Sequence, residues 1–168
     1  ARSWDGTRTP RVQSVTYAGG VVIRCVVRFY EQMQGVYFDD LDPFHILHNA
    51  RYVLLFERTL GAFWMELGFG AFQDATQPEQ FHLVARNEID YCEPVRGVCK
   101  VRVRVWVERI GTSSLVFAFR VLPQDRDIDH ARGKRVIVHV DSQTLRATPW
   151  TDSVRQLLAP WTEHVSAG

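Results

Sequence analysis

The chain has 168 residues and a mass of 19.4 kDa, a length that predicts one domain with a sizeable core rather than two. Hydrophobic residues make up 46%, aromatic residues 12% and charged residues 23%, which excludes the composition of a disordered chain. Twenty Lys and Arg against 19 Asp and Glu leave a formal net charge of +1, so there is no global basic field to draw in nucleic acid, and no nucleic-acid partner is expected.

Residues 1–20 mix Arg, Ser, Thr, Gly and Pro10 without a lasting apolar period, and Gly19-Gly20 punctuates their end. A flexible N-terminal arm is expected there, with a single domain over residues 21–168. No charged stretch followed by an apolar core opens the sequence, and Glu57, Arg58 and Glu66 interrupt its longest apolar segment. A soluble protein with no membrane span is therefore expected. Cys25, Cys92 and Cys99 form no C-x-x-C pair, which points to a reducing, cytoplasmic location. Burial of the thiols as small hydrophobes is favoured over a disulfide between Cys92 and Cys99 across the turn at Arg96-Gly97.

From Val21 the run VVIRCVVRFY is β-branched and aromatic, and GVYFDD follows the polar residues 31–34, which predicts one bent strand or a strand pair. The segment after Asn49 changes period. Tyr52, Phe56, Leu60, Phe63 and Leu67 recur every three or four residues, while Val53, Leu54, Leu55, Trp64 and Met65 extend the apolar surface around most of the circumference. The expectation is a buried helix about 27 Å long at about 1.5 Å per residue, capped by Asn49 or His48 and ended by Gly68 and Gly70. A polar loop over residues 73–80 precedes four strand-like runs. In the second of these, Val101, Val103, Val105 and Val107 alternate with Lys100, Arg102, Arg104 and Trp106, the period of a strand with one buried face. A short helix over residues 153–158 closes the pattern. Strands, one long apolar helix and then strands joined by short turns predict an α+β fold, a curved antiparallel sheet wrapped around one central helix.

The densest polar cluster, DDLDPFHILHN over residues 39–49, lies between a strand and the start of that helix. A helix start presents unpaired N–H groups and the positive end of a dipole, which suit the oxyanion formed when an acyl carbonyl is attacked. A nearby carboxylate serves as nucleophile or as base for water. The same residues also fit solvated loop carboxylates and an ordinary cap, so composition and spacing leave function open. The spacing of Asp42, His45 and His48 matches no strong metal motif, and no metal or other cofactor is expected.

YFDDLDPFHILHNARYVLLFER, residues 37–58, resembles the start of hotdog-fold acyl-CoA thioesterases of the 4-hydroxybenzoyl-CoA thioesterase family, with their pattern D-x-D-x-x-G-H-V-N-N-x-x-Y followed by an aromatic residue and E-R. Asp40, Asp42, Asn49, Tyr52, Phe56, Glu57 and Arg58 occupy matching places, and RNEIDYCEPVRGVCKVRVRVWVERIGTSSLVFAF is similar to the family's second strand block, so the likeness covers residues 21–160. The resemblance implies a hotdog fold, subunits paired edge to edge as a homodimer or dimer of dimers, and active sites at the dimer interface. It also implies an acyl-CoA or acyl carrier protein thioester as substrate. Asp42 falls at the catalytic carboxylate and Asn49 at the helix start whose N–H polarises the thioester carbonyl, with His45 and His48 completing the catalytic segment. Tyr52, Phe56, Glu57, Arg109, Thr112 and Ser113 are the residues expected to bind substrate.

The chain departs from the pattern at His45, where the family has Gly, at Ile46 in place of His, at His48 in place of the first Asn, and at Val98 in place of Asp. After Arg109 it carries Gly111-Thr112-Ser113-Ser114 where some relatives place a basic cluster for the CoA phosphates. Residues 40–45 also resemble the D-x-N-P-x-H motif of (R)-specific enoyl-CoA hydratases, which would make Asp40 and His45 the working pair. HNARY followed by FER continues only the thioesterase pattern, and Asp42 is a poor substitute for a neutral Asn beside Asp40. A non-catalytic acyl-CoA-binding hotdog protein is the third reading.

Overall fold

The structure is a computed structural model, and it describes residues 12–16, 22–69, 81–162 and 164–165. The expected polar loop over 73–80 and the Gly70 helix stop lie outside these residues.

Short strands β1 (Val12–Thr16) and β2 (Val22–Val26) pair with β8 (His164–Val165) in a small antiparallel sheet. β1 thus falls inside the stretch read from sequence as an arm. The main sheet has five strands: β3 (Tyr30–Val36), β4 (His82–Tyr91), β5 (Cys99–Ile110), β6 (Ser114–Pro123) and β7 (Ala131–His139). Their order is β3-β5-β6-β7-β4, antiparallel throughout. Irregularities in register between Val107 and Arg109 and between Val84 and Arg86 increase the local bend and help the sheet curl.

The curl encloses helix α1 (Asn49–Trp64), which continues through a wider turn, Met65–Phe69, to Gly68 at φ 90°. The hotdog expectation, a curved antiparallel sheet around one long helix, is met. Tyr52, Leu55, Phe56, Thr59, Leu60, Phe63 and Trp64 form the buried face of α1. Val53 and Leu54 are only half-buried and Met65 is exposed, so the buried face of this helix is narrower than its apolar surface. Phe63 is the hub of the packing, with ring contacts to Tyr30, Trp64, Phe117 and Trp161. Trp161 follows α2 (Asp152–Leu158) and closes one end of the core.

The polar residues 31–34 belong to β3, where Gln34 is buried and its Nε2 donates to Thr59 Oγ1 at 3.2 Å. The valine face of β5 is fully buried as expected, but Arg104 on the opposite face is 1% exposed. Its guanidinium is paired with Glu31 and with Asp127 at 2.9 Å and lies over the Phe29 ring. Hydrogen bonds from Arg102 and then Arg104 hold the Asp127 carboxyl below its ordinary range. Cys92 and Cys99 are free thiols; Cys92 is exposed rather than buried, and Cys99 is half-buried against the core, which pushes its thiol pKa up. Among the described residues no helix is long and apolar enough to cross a membrane, and no three His, Cys, Asp or Glu side chains are grouped to hold a metal ion.

Candidate active site

The chain leaves β3 through a turn at Phe38–Asp40. Asp40 is 6% exposed, and both of its carboxylate oxygens are engaged: Oδ2 accepts from the Tyr37 N–H at 2.9 Å, and Oδ1 faces Arg51 Nε at 3.5 Å. Its carbonyl accepts from the His48 N–H at 2.9 Å, while Arg51 Nη2 donates to the Asp39 carbonyl at 3.0 Å. Asp40 therefore ties the turn to the first turn of α1.

Asp42 is placed differently. Its Oδ1 accepts from the Phe44 N–H at 2.8 Å and the Ile46 N–H at 3.0 Å, and its own N–H donates to the Ile46 carbonyl at 2.8 Å. These bonds fold residues 42–46 into a tight reversal around the carboxylate. Among the described residues Oδ2 takes no hydrogen bond, so one oxygen holds the group in place and the other is unengaged.

The reversal passes through His45 at φ 57°, the left-handed region that favours glycine. A glycine would take this conformation without strain, whereas His bears a cost of about 1 kcal/mol. The His45 side chain is exposed and makes no hydrogen bond among the described residues. His45→Gly is expected to leave the melting temperature unchanged or raise it, whereas His45→Val is expected to destabilise by about 1–2 kcal/mol, as thermal unfolding of the two variants would measure.

The reversal is pinned from behind by residues 95–97. Leu47 N–H donates to the Val95 carbonyl at 2.9 Å, Gly97 N–H to the His45 carbonyl at 3.0 Å, and Ile46 and Arg96 form an antiparallel bridge. His48, not Asn49, caps α1: its Nδ1 accepts from the Ala50 N–H at 3.2 Å, which requires that nitrogen to be unprotonated. Asn49 is the first helical residue, and among the described residues no acceptor takes its N–H. Its carbonyl accepts from the Tyr91 hydroxyl at 3.2 Å, and the Tyr91 ring meets Tyr52 edge-on at 5.2 Å. Asp42, His45, His48 and Asn49 are thus brought together in one loop–helix junction.

The expected substrate-binding residues divide into two groups. Tyr52 and Phe56 are buried in the core. Burial pushes the Tyr52 hydroxyl above its ordinary pKa, opposed by a hydrogen bond with the Val95 backbone. Phe56 stacks on Phe119 at 4.5 Å and carries the Arg135 guanidinium over its ring. Glu57, half-exposed, pairs with that buried Arg135, whose Nε donates to Asn87 Oδ1 at 2.7 Å. Arg109, Thr112 and Ser113 lie at the far end of β5, about 30 Å along the strand from the Asp42 loop at about 3.3 Å per residue. Within one chain the structure does not bring them to Asp42. The Thr112 carbonyl accepts from Trp150 N–H and Arg155 Nη2, and the Ser113 carbonyl accepts from His139 N–H at 2.8 Å. Sequence reasoning missed Arg51, Tyr91 and Arg135, whose partners lie on other elements.

A family model described as thioesterase-like superfamily matches residues 36–158. Among solved structures, the chain is similar to a Thermus thermophilus thioesterase solved with coenzyme A and zinc, at 25% identity, TM-score 0.64, covering 76% of this chain and 90% of that one. It is similar in fold to a predicted thioesterase from Bacillus stearothermophilus, at 21% identity, TM-score 0.69, covering 80% and 97% of the two chains. A Synechocystis 1,4-dihydroxy-2-naphthoyl-CoA thioesterase shares the fold at 10% identity, TM-score 0.71, covering 79% and 96%. A search of the curated proteins finds no match.

Proposed function

The chain belongs to the thioesterase-like superfamily, so thioester hydrolysis is its activity, and from that premise we propose that it cleaves acyl-CoA thioesters with Asp42 as the catalytic carboxylate and the Asn49 N–H as oxyanion donor. The carrying observation is the asymmetry of Asp42. Two loop N–H groups fix Oδ1 and leave Oδ2 open, beside a helix whose first N–H is unclaimed. Asp42 attacks the thioester carbonyl or takes a proton from the attacking water. Negative charge moves to the carbonyl oxygen against the Asn49 N–H, and collapse of the adduct expels the CoA thiolate. Where water attacks, the free acid forms directly and Asp42 passes the proton it took to the thiolate; where Asp42 attacks, the acyl group is left as an anhydride on Asp42, and a water then hydrolyses it to the free acid, restoring the carboxylate and supplying the proton of the thiol. The pairing of Asp40 with Tyr37 and Arg51 favours Asp42 over Asp40 as the reacting group, which weighs against the hydratase reading. A screen of acyl-CoAs of graded length, read by free thiol, tests the activity; thiol release from at least one is expected, and none from any would overturn it. Cytoplasmic location is proposed on the free thiols of Cys92 and Cys99.

The working unit is proposed to be a homodimer or dimer of dimers joined through β4. This ten-residue edge strand is exposed on both faces from 83 to 88, and Leu83, Val84 and Tyr91 present apolar surface, an edge that calls for a partner. Antiparallel two-fold pairing also explains the divided substrate residues. Tyr91, at one end of β4, touches Asn49, while His82, at the other end, pairs with His139 beside Ser113. Such pairing sets the 109–113 turn of one copy at the Asn49 end of the other. Light scattering at micromolar concentration is expected to report a dimer or tetramer; a monomer that still turns over would contradict a composite site.

A further inference from the structure

An open groove of about 1060 Å³ runs behind the Asp42 reversal, between residues 35–37, residues 94–100 and the loop joining β6 to β7. Its charge is one-sided. Arg96, Lys100 and Arg126 line it against the single carboxylate of Asp125, and His130 adds a ring whose Nδ1 is held by the Glu93 carbonyl at 3.1 Å. Arg96 and Lys100 make no ion pair among the described residues, and Arg126 reaches Asp125 only at 3.9 Å with both side chains more than half exposed. Neighbouring arginines are neutralised: Arg102 and Arg104 by Glu31 and Asp127, Arg120 by Asp129. Positive charge left uncompensated at this end of the sheet is therefore concentrated in the groove.

The groove also has a flat aromatic wall. Tyr37 is 61% exposed, and its ring lies so close over Gly35 that a Cβ there would come within 2.6 Å of it. Gly35 is thus required to seat the ring at the groove's edge. The groove and the Asp42 reversal form one hydrogen-bonded unit, through Tyr37 N–H to Asp40, Gly97 N–H to the His45 carbonyl, and the Ile46 to Arg96 bridge.

We propose that this groove seats the nucleotide end of CoA, with Arg96, Lys100 and Arg126 holding its phosphates and Tyr37 stacking on the adenine. Three exposed cations around one carboxylate suit a multiply charged phosphate ligand, the exposed ring suits a base, and the volume is of the size that holds a nucleotide. The site rests on the acyl-CoA reading above, and it differs from the Arg109 turn, which offers a single cation.

The test is calorimetric titration with adenosine 3′,5′-bisphosphate, joined to the ratio of kcat/KM for acyl-CoA over the matching acyl-pantetheine, which lacks the nucleotide. Arg126→Ala and the pair Arg96→Ala with Lys100→Ala are each expected to weaken bisphosphate binding and lower the ratio by about tenfold, with wild-type binding falling as salt rises. Tyr37→Ala is expected to weaken the bisphosphate but not inorganic pyrophosphate. No bisphosphate binding to wild type, or loss of binding in Arg109→Ala with the groove variants unaffected, would overturn the assignment. Bisphosphate binding that follows the groove variants, in a protein that releases no thiol, would uphold the groove and overturn the hydrolase reading instead.

Discussion

Asp42→Asn is expected to lower acyl-CoA hydrolysis by at least about a hundredfold while the protein keeps its fold. The amide oxygen of Asn can still accept from the Phe44 and Ile46 N–H groups, so the reversal that aims the side chain is retained. What is lost is the negative oxygen at Oδ2, replaced by an NH₂ that neither attacks a carbonyl nor takes a proton from water. The loss belongs in kcat rather than KM, and the melting temperature should move by about 2 °C or less. Asp42→Ala would also remove the loop's two hydrogen bonds, so Asn is the cleaner probe. Thiol-release kinetics with a parallel thermal melt measures both quantities.

Phe63→Ala is expected to have the largest effect on stability. The side chain is fully buried and contacts four other rings that join α1 to β3, to β6 and to the segment after α2. Removing it deletes apolar surface and leaves a cavity that four rigid rings cannot readily collapse, a loss of about 3–5 kcal/mol. That is a large share of the roughly 5–15 kcal/mol of a typical domain. Phe63→Leu should lose less than half as much. Urea unfolding at fixed pH reads the difference; a loss below about 1 kcal/mol in Phe63→Ala would mean that α1 is anchored elsewhere. Because α1 carries Asn49 at its start, the same packing fixes the proposed oxyanion donor against the Asp42 loop.

The parts of the fold with a local period were legible in the sequence. The three-to-four-residue recurrence of Tyr52, Phe56, Leu60 and Phe63 gave a helix buried along that stripe, and the valines of β5 gave its core face. What the local pattern could not carry were polar residues satisfied by distant partners. In the sequence Glu31 and Gln34 read only as polar, yet Glu31 meets Arg104 and Gln34 meets Thr59 across the sheet and helix. Arg104 looks like a solvent-facing residue for the same reason.

In the candidate site, the identity of the loop was legible but its wiring was not. Asn is the better cap by propensity, but the chain caps α1 with His48, one residue earlier, leaving the Asn49 N–H unclaimed. Asp40 and Asp42 are near-identical in sequence context; only their partners separate the tied carboxylate from the half-open one. The 109–113 turn was grouped with Asp42 by motif, whereas β5 holds the two apart within a chain.

The most direct test of the central claim is thiol release from acyl-CoA and hydration of enoyl-CoA, measured side by side for wild type, Asp42→Asn, Asp40→Asn and His45→Ala. The account predicts thiol release by wild type, its loss by at least about a hundredfold in Asp42→Asn, and a smaller loss in His45→Ala. Hydration without hydrolysis in wild type, abolished in His45→Ala and Asp40→Asn but kept in Asp42→Asn, would contradict it.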